Sequence, residues 1–152
     1  MQIREIYGDS NTSNADLLNT VYQNSKTGID SIDYILPRIK NSNLKKDLAS
    51  QMAGYFKFIN RVSSKFDDID ESPSDLFILS RIPSMAYMKL KVYVDDSESH
   101  LAEVIIENST SGLIEAQKIY NRCRNLDCEI SQIGCEAIYF EQKSINRLRN
   151  YL

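Results

Sequence analysis

The six residues Asn24-Ser25-Lys26-Thr27-Gly28-Ile29 recur 84 positions later as Asn108-Ser109-Thr110-Ser111-Gly112-Leu113. Each segment lies within a longer series of apolar or small residues whose spacings alternate between three and four. The first series is Leu18, Val21, Ser25, Gly28, Ile32, Ile35 and Ile39, and the second is Ala102, Ile105, Ser109, Gly112, Ala116, Ile119 and Cys123. This spacing is typical of a helix packed in a bundle. Since the two series align without a shift, the pattern indicates that a helical unit has been duplicated.

Each repeated helix is followed by a short polar break and a second amphipathic helix. We predict helices over residues 14–40 and 43–67 in the first unit, and over 98–124 and 128–150 in the second. So short a break forces the two helices of each unit into an antiparallel hairpin.

The duplication extends into the second helix of each hairpin. Tyr55-Phe56 matches Tyr139-Phe140 at the offset of 84, whereas Ile59-Asn60-Arg61 matches Ile145-Asn146-Arg147 at an offset of 86. We therefore predict a small insertion between these two matches. The small residues of the repeated seams are predicted to let the first and third bundle helices approach closely, and they are Ser25, Gly28, Ser109 and Gly112.

The connector between the hairpins, residues 68–97, is long enough to run the length of a bundle. We predict a short or broken helix over residues 73–92, interrupted at Pro83, with a strand over residues 90–94 as the alternative. Two hairpins must bury their apolar faces against each other. The predicted fold is therefore an all-α, up-down-down-up four-helix bundle with a short helix in the long crossover.

The chain is expected to form one domain. Its 152 residues suit a single core. We predict a loose N-terminal arm over residues 1–13 and one bundle over residues 14–152, with hairpins over 14–67 and 98–152.

Several stretches of this pattern are also found together in a known family. They are Gly28 with Asp33-Tyr34-Ile35-Leu36-Pro37, His100-Leu101-Ala102-Glu103, residues 108–112 and residues 141–152. On them the sequence resembles the small ferritin-like bundle proteins of unknown function from anaerobic Gram-positive bacteria, which are similar in architecture to the spore-coat F type of ferritin-like protein. The resemblance covers about residues 18–152. It implies a ferritin-like fold and supplies no activity.

The residue types do not favour a di-iron centre, which takes a Glu from each of two helices and a Glu-x-x-His from each of the other two. The chain has one histidine and no Glu-x-x-His. We therefore predict no catalytic residue, no metal ligand and no cofactor. The alternative is a residual metal-binding or oxidoreductase role for His100, Glu103 and Glu107, which share one helical face. The preferred explanation of this face is the solvated first turns of a helix, where acidic residues are favoured.

Three other groups of residues are candidate sites. Cys123, Cys128 and Cys135 lack the Cys-x-x-Cys spacing of zinc and redox sites. An aromatic group in the second helix of each hairpin offers a second alternative, a surface or pocket that binds a small molecule or a partner. Its members are Tyr55, Phe56, Phe58, Tyr139 and Phe140. The acidic run at residues 67–71 lacks the spaced ligands and the glycine of a calcium loop.

Composition excludes several classes of function. The net charge of −3 leaves no excess of basic residues to hold nucleic acid. No apolar run reaches the roughly 18 residues of a membrane span, and the N-terminus does not read as a signal peptide. Three clustered cysteines suggest reduced thiols and a cytoplasmic location. The predicted function is a non-enzymatic scaffold or interaction module that self-associates as a homodimer or higher oligomer, with a protein partner left open.

Overall fold

The computed structural model describes the backbone of residues 10–74 and 78–152, and the side chains of residues 13–74 and 85–152. These residues form five α-helices and no strand. The helices are α1 (Ser10–Ile35), α2 (Ser42–Asp68), α3 (Ile78–Val94), α4 (Glu98–Arg122) and α5 (Cys128–Leu148). Short 3-10 turns follow α1 at Leu36–Arg38 and α5 at Arg149–Tyr151.

The helices pair as two hairpins. α1 packs on α2, α4 packs on α5, and the two hairpins meet mainly through α1 and α4 and through α2 and α5. α3 lies in the crossover and packs against α1 and α4. The predicted all-α bundle of two hairpins with a helix in the crossover is confirmed. Within the described part of the chain, no helix combines the length and apolar composition needed to cross a bilayer.

The crossover differs from the prediction at both ends. Pro73 lies in an extended segment before α3, which begins at Ile78. α3 has 17 residues and passes through Pro83 without a break. A proline loses one backbone hydrogen bond and clashes with the carbonyl one turn back. At the sixth residue of α3 this affects only the first turn, so the predicted interruption was wrong. The alternative strand over residues 90–94 was also wrong, because these residues belong to α3.

The first helix also begins earlier than predicted. α1 starts at Ser10, so the last four residues of the predicted arm are helical. Residues 1–9 of that arm lie outside the described residues.

The core repeats from hairpin to hairpin with two different offsets. Buried positions of α1 recur in α4 at an offset of 84. Those of α2 recur in α5 at an offset of 86 along the whole helix, as in the pairs Leu44/Ile130, Leu48/Gly134, Gln51/Ala137, Tyr55/Glu141, Phe58/Ser144 and Val62/Leu148. The two extra residues therefore lie between Ala116 of α4 and Ile130 of α5, and not after Tyr139 as predicted. In consequence the structural counterpart of Tyr55 is Glu141.

Gly28 has a different role from the one predicted. A Cβ atom on Gly28 would lie 2.5 Å from Tyr55 Cζ, so the missing side chain makes room for the tyrosine ring of α2. A Cβ on Gly112 would lie 3.3 Å from Asn24 Cγ on α1, which is a tight but adjustable contact. The expected close approach of α1 and α4 thus applies at Gly112, whereas Gly28 admits an aromatic side chain from a third helix.

We expect Gly28→Ala to destabilise the bundle, because the added methyl group overlaps a ring that is buried on all sides. The overpacking cost is about 1–3 kcal/mol, against a gain in helix propensity of about 1 kcal/mol. Gly112→Ala gains the same propensity and meets only the flexible Asn24 side chain. Urea denaturation of both variants tests this. Equal stabilities of the two would contradict the packing of Tyr55 against Gly28.

Candidate functional site

A carboxyl group lies at the middle of the bundle. Glu141 of α5 is 5% exposed. The hydroxyl of Tyr55, which is 2% exposed, donates to it, with Oη 3.0 Å from Oε1 and 2.9 Å from Oε2. A buried carboxyl group needs such a donor, because an unpaired one would lose its hydration without compensation.

Gln51 and Ser109 complete the network around this carboxyl group. Gln51 Nε2 donates to Tyr55 Oη at 3.0 Å and to Ser109 Oγ at 3.1 Å. Both hydroxyl oxygens therefore accept from the amide, which leaves their hydrogens to point onward. Tyr55 Oη also lies 3.4 Å from Ser109 Oγ, and either hydroxyl can be the donor. We call Gln51, Tyr55, Ser109 and Glu141 the polar centre. Its hydrogen bonds reach the carboxyl group through Tyr55.

The environment of the polar centre changes how its groups titrate. Burial raises the pKa of Glu141 to about 7, although the hydrogen bonds from Tyr55 and Ser109 act in the opposite direction. Burial, and then the negative charge of Glu141, raise the pKa of Tyr55 above its usual range, so the phenol remains a donor. The stability that a protonated Glu141 provides is complete below its ordinary pKa of 4.5 and is lost as the pH rises to about 7.

A cavity of about 190 Å³ opens beside the polar centre, mainly between α1 and α4. Its polar walls carry amide and hydroxyl groups, and Ile32 and Ile105 supply apolar surface. Its charged side chains are Glu141, which is buried, and Glu115, which lies at the surface and whose pKa is raised by partial desolvation. Lys, Arg and His are absent from the described lining.

Two asparagine side chains of the cavity wall are oriented by the bundle itself. Asn24 Nδ2 donates to the Gly112 carbonyl at 2.9 Å, and Asn108 Nδ2 donates to Ser31 Oγ at 3.1 Å. Asn108 Nδ2 also lies 3.5 Å from the sulfur of Met88 on α3. Since both nitrogens are directed at protein acceptors, the amide oxygens are the ends that can accept from a ligand.

The aromatic residues proposed from sequence as one group are divided by the structure. Tyr55 and Phe58 both make edge contacts with Phe140, with ring centroids 5.2 and 5.4 Å apart. Phe56 is half exposed and Tyr139 is 65% exposed. The expected pairing of Tyr55 with Tyr139 was wrong, because the offset of 86 turns Tyr139 outward and brings Glu141 inward.

The other sequence candidates lie outside the polar centre. His100 Nδ1 is 3.0 Å from Glu103 Oε2 near the start of α4, whereas Glu107 pairs with Lys91 of α3. Cys123 is half-buried, Cys128 and Cys135 are exposed, and all three are free thiols. In the described part of the chain, no group of three or more His, Cys, Asp or Glu side chains is placed to hold a metal ion.

Gln51 and Glu141 were missed by sequence reasoning. Gln51 stands beside Met52, which as an apolar residue would be expected to face the core, yet Gln51 is the buried one of the two. Glu141 falls in a polar stretch that resembles a surface. The signal that could have found both is the offset of 86 applied to the whole helix, since it aligns Glu141 with Tyr55.

No protein-family model matches this chain, and no curated protein matches it. A solved structure does: the dodecameric thioferritin of Bacteroides fragilis, a bacterioferritin-related protein, superposes with a TM-score of 0.70. The match covers 98% of this chain and 89% of that one, at 11% sequence identity. The fold is ferritin-like. At this identity the likeness concerns the fold alone.

The donor set at the centre of this ferritin-like bundle does not fit a di-iron site. Such a site takes four inward Glu and two His side chains from four helices. Here the inward residues at that level are Ser25, Tyr55, Ser109 and Glu141, one from each bundle helix. The single carboxylate already accepts from Tyr55 at both oxygens.

We expect Tyr55→Phe to cost about 1–3 kcal/mol of stability, because it leaves the buried carboxyl group without its donor. Tyr139→Phe removes the same atom from the exposed counterpart in the sequence repeat. It should change stability by no more than about 0.5 kcal/mol. Urea denaturation at pH 8, where Glu141 is mostly ionised, gives the clearest difference. Equal losses in the two variants would contradict the hydrogen bond.

Proposed function

We propose that this protein is a non-catalytic ferritin-like subunit that builds its structure without iron and associates with further copies of itself. The observation that carries the proposal is the polar centre. The single inward carboxyl group accepts from a tyrosine, which is itself linked to a glutamine and a serine, in a region where iron-binding relatives of the fold require several carboxylates and histidines. The Tyr55 hydroxyl thus stabilises the carboxyl group of Glu141, as a cation would do in a metal site.

The surroundings of the titratable groups also favour a non-enzymatic role. Glu141 is the described carboxyl group with the largest rise in pKa, and its hydrogen-bond partner is the hydroxyl of Tyr55. Burial raises the pKa of that phenol, so it stays protonated and is not activated as a nucleophile. The single histidine, His100, pairs with the carboxylate of Glu103 near the surface.

The outer face of α3 is the surface that we propose for self-association. It exposes four large apolar or aromatic side chains, Tyr87, Leu90, Tyr93 and Val94, and Tyr93 is 88% exposed. Clustered exposed apolar residues mark interaction surfaces, and tyrosine is enriched in them. We propose a second copy as the occupant because the thioferritin of the same fold is dodecameric.

We propose a cytoplasmic location and a family relationship on the basis of the sequence. Free thiols at Cys123, Cys128 and Cys135 suit the reducing cytoplasm. The likeness to the small bundle proteins of anaerobic Gram-positive bacteria, and to the spore-coat F architecture, rests on the stretches quoted above and belongs to this proposal.

Anaerobic loading of the chain with Fe(II), followed by desalting, tests both parts of the proposal in one sample. We expect substoichiometric iron by mass spectrometry. We also expect a sedimentation coefficient that rises with protein concentration and is unaffected by a chelator. Retention of one or more irons per chain, or association that depends on iron, would contradict the proposal.

Two sets of variants identify the cause of either result. Leu90→Ser combined with Tyr93→Ser should abolish association, whereas Ile114→Ser on the exposed side of α4 should not. If iron is retained by the wild type but lost in a His100→Ala, Glu103→Ala variant, the residual metal-binding alternative is correct instead.

A further inference from the structure

We propose that the cavity beside the polar centre binds a small aliphatic amine, whose ammonium group pairs with Glu141 and whose alkyl chain lies between α1 and α4. This site is independent of the proposed role as a structural subunit. Amine binding and self-association are measured separately, so the failure of one can be told from the failure of the other.

The charges of the cavity select a cation. Its described lining holds two carboxyl groups, Glu141 and Glu115, and no basic side chain. Among the described residues Glu141 forms no ion pair, so its charge is balanced only by hydroxyl dipoles. A buried carboxylate gains most from an opposite charge that enters the same desolvated space, because the attraction is poorly screened there. An anion in this cavity would be repelled by both carboxylates.

The hydrogen-bond directions select a donor. An ionised carboxylate offers about four acceptor positions, and the single hydroxyl of Tyr55 does not fill them. A primary ammonium group has three hydrogens and no acceptor. It can donate to Glu141 and to the amide oxygens of Asn24 and Asn108, whose nitrogens are held by Gly112 and Ser31.

The size and apolar surface of the cavity limit the ligand to a short chain. A water molecule needs about 10–15 Å³ of such space, so 190 Å³ accommodates a small organic molecule. The buried side chains of Ile32 and Ile105 form the apolar floor along which an alkyl chain lies. Glu115 lies at the outer end and can meet a second ammonium group, so a diamine should bind more tightly than a monoamine.

Isothermal titration calorimetry at pH 8 with butylammonium and 1,4-diaminobutane tests the site. We expect both to bind, the diamine more tightly, and we expect 1-butanol and butyrate not to bind. Glu141→Gln keeps the shape of the side chain but removes its charge. It should weaken butylammonium binding by about 10- to 100-fold, the range expected for a hydrogen bond to a charged group.

Glu136→Gln is the matched control, because Glu136 lies on the same helix at the surface, paired with Arg61. It should leave the affinity unchanged. Equal weakening by the two substitutions, or equal binding of butanol and butylammonium, would overturn the proposal, as would the absence of binding by the wild type.

A second measurement needs no variant. In the wild-type complex, intermolecular nuclear Overhauser effects should connect the ligand methylene protons with the methyl groups of Ile32 and Ile105. Contacts confined to the acidic surface run at residues 67–71 would show adventitious pairing of amines with exposed carboxylates. That result would overturn the proposal.

Discussion

The hydrogen bond from Tyr55 to Glu141 is the interaction on which the centre of this bundle depends. It joins α2 to α5, the second helices of the two hairpins, and buries an ionisable group where four helices meet. The absence of a side chain at Gly28 gives the tyrosine ring its space. The edge of Phe140 fixes the ring from the other side. Gln51 donates to the hydroxyl oxygens of Tyr55 and Ser109, which leaves the hydrogen of Tyr55 to point at the carboxyl group.

The duplication explains why this contact is asymmetric. The chain from Ala116 of α4 to Ile130 of α5 is two residues longer than its counterpart from Ile32 to Leu44, and the register of α5 shifts accordingly. The shift places Glu141 opposite Tyr55, in the position that the repeat assigns to a second tyrosine. One hairpin therefore contributes the donor, Tyr55, and the other contributes the acceptor, Glu141. Two identical side chains would form a less favourable pair.

Much of the fold could be predicted from residues with regular spacing. The seams of α1 and α4 consist of apolar and small side chains, and their period alone identifies two packed helices. The register of α5 could not be predicted in the same way, because Gly134, Ala137, Glu141 and Ser144 are buried without being large and apolar. Here the identity of Tyr139-Phe140 with Tyr55-Phe56 was the stronger local signal, and it was misleading. Burial of Glu141 depends on contacts from three other helices, which no local pattern contains.

The polar centre has two consequences for function. Its single carboxyl group, bound by neutral donors, favours a bundle that is stable without iron and serves as a structural subunit. Its lack of a compensating cation leaves a negative charge beside a cavity whose lining accepts hydrogen bonds. Both consequences depend on Glu141 being desolvated and held by Tyr55. They are linked through the protonation of Glu141, since its negative charge increases as the pH rises through about 7.

The most direct test is the titration of the Glu141 carboxyl carbon by nuclear magnetic resonance, with the resonance assigned by its loss in Glu141→Gln. We expect a midpoint at about pH 7 in the wild type. We expect a higher midpoint in Tyr55→Phe, because the hydrogen bond from Tyr55 favours the ionised form. A wild-type midpoint near the ordinary value of 4.5, unchanged in Tyr55→Phe, would show that Glu141 is neither desolvated nor held by Tyr55.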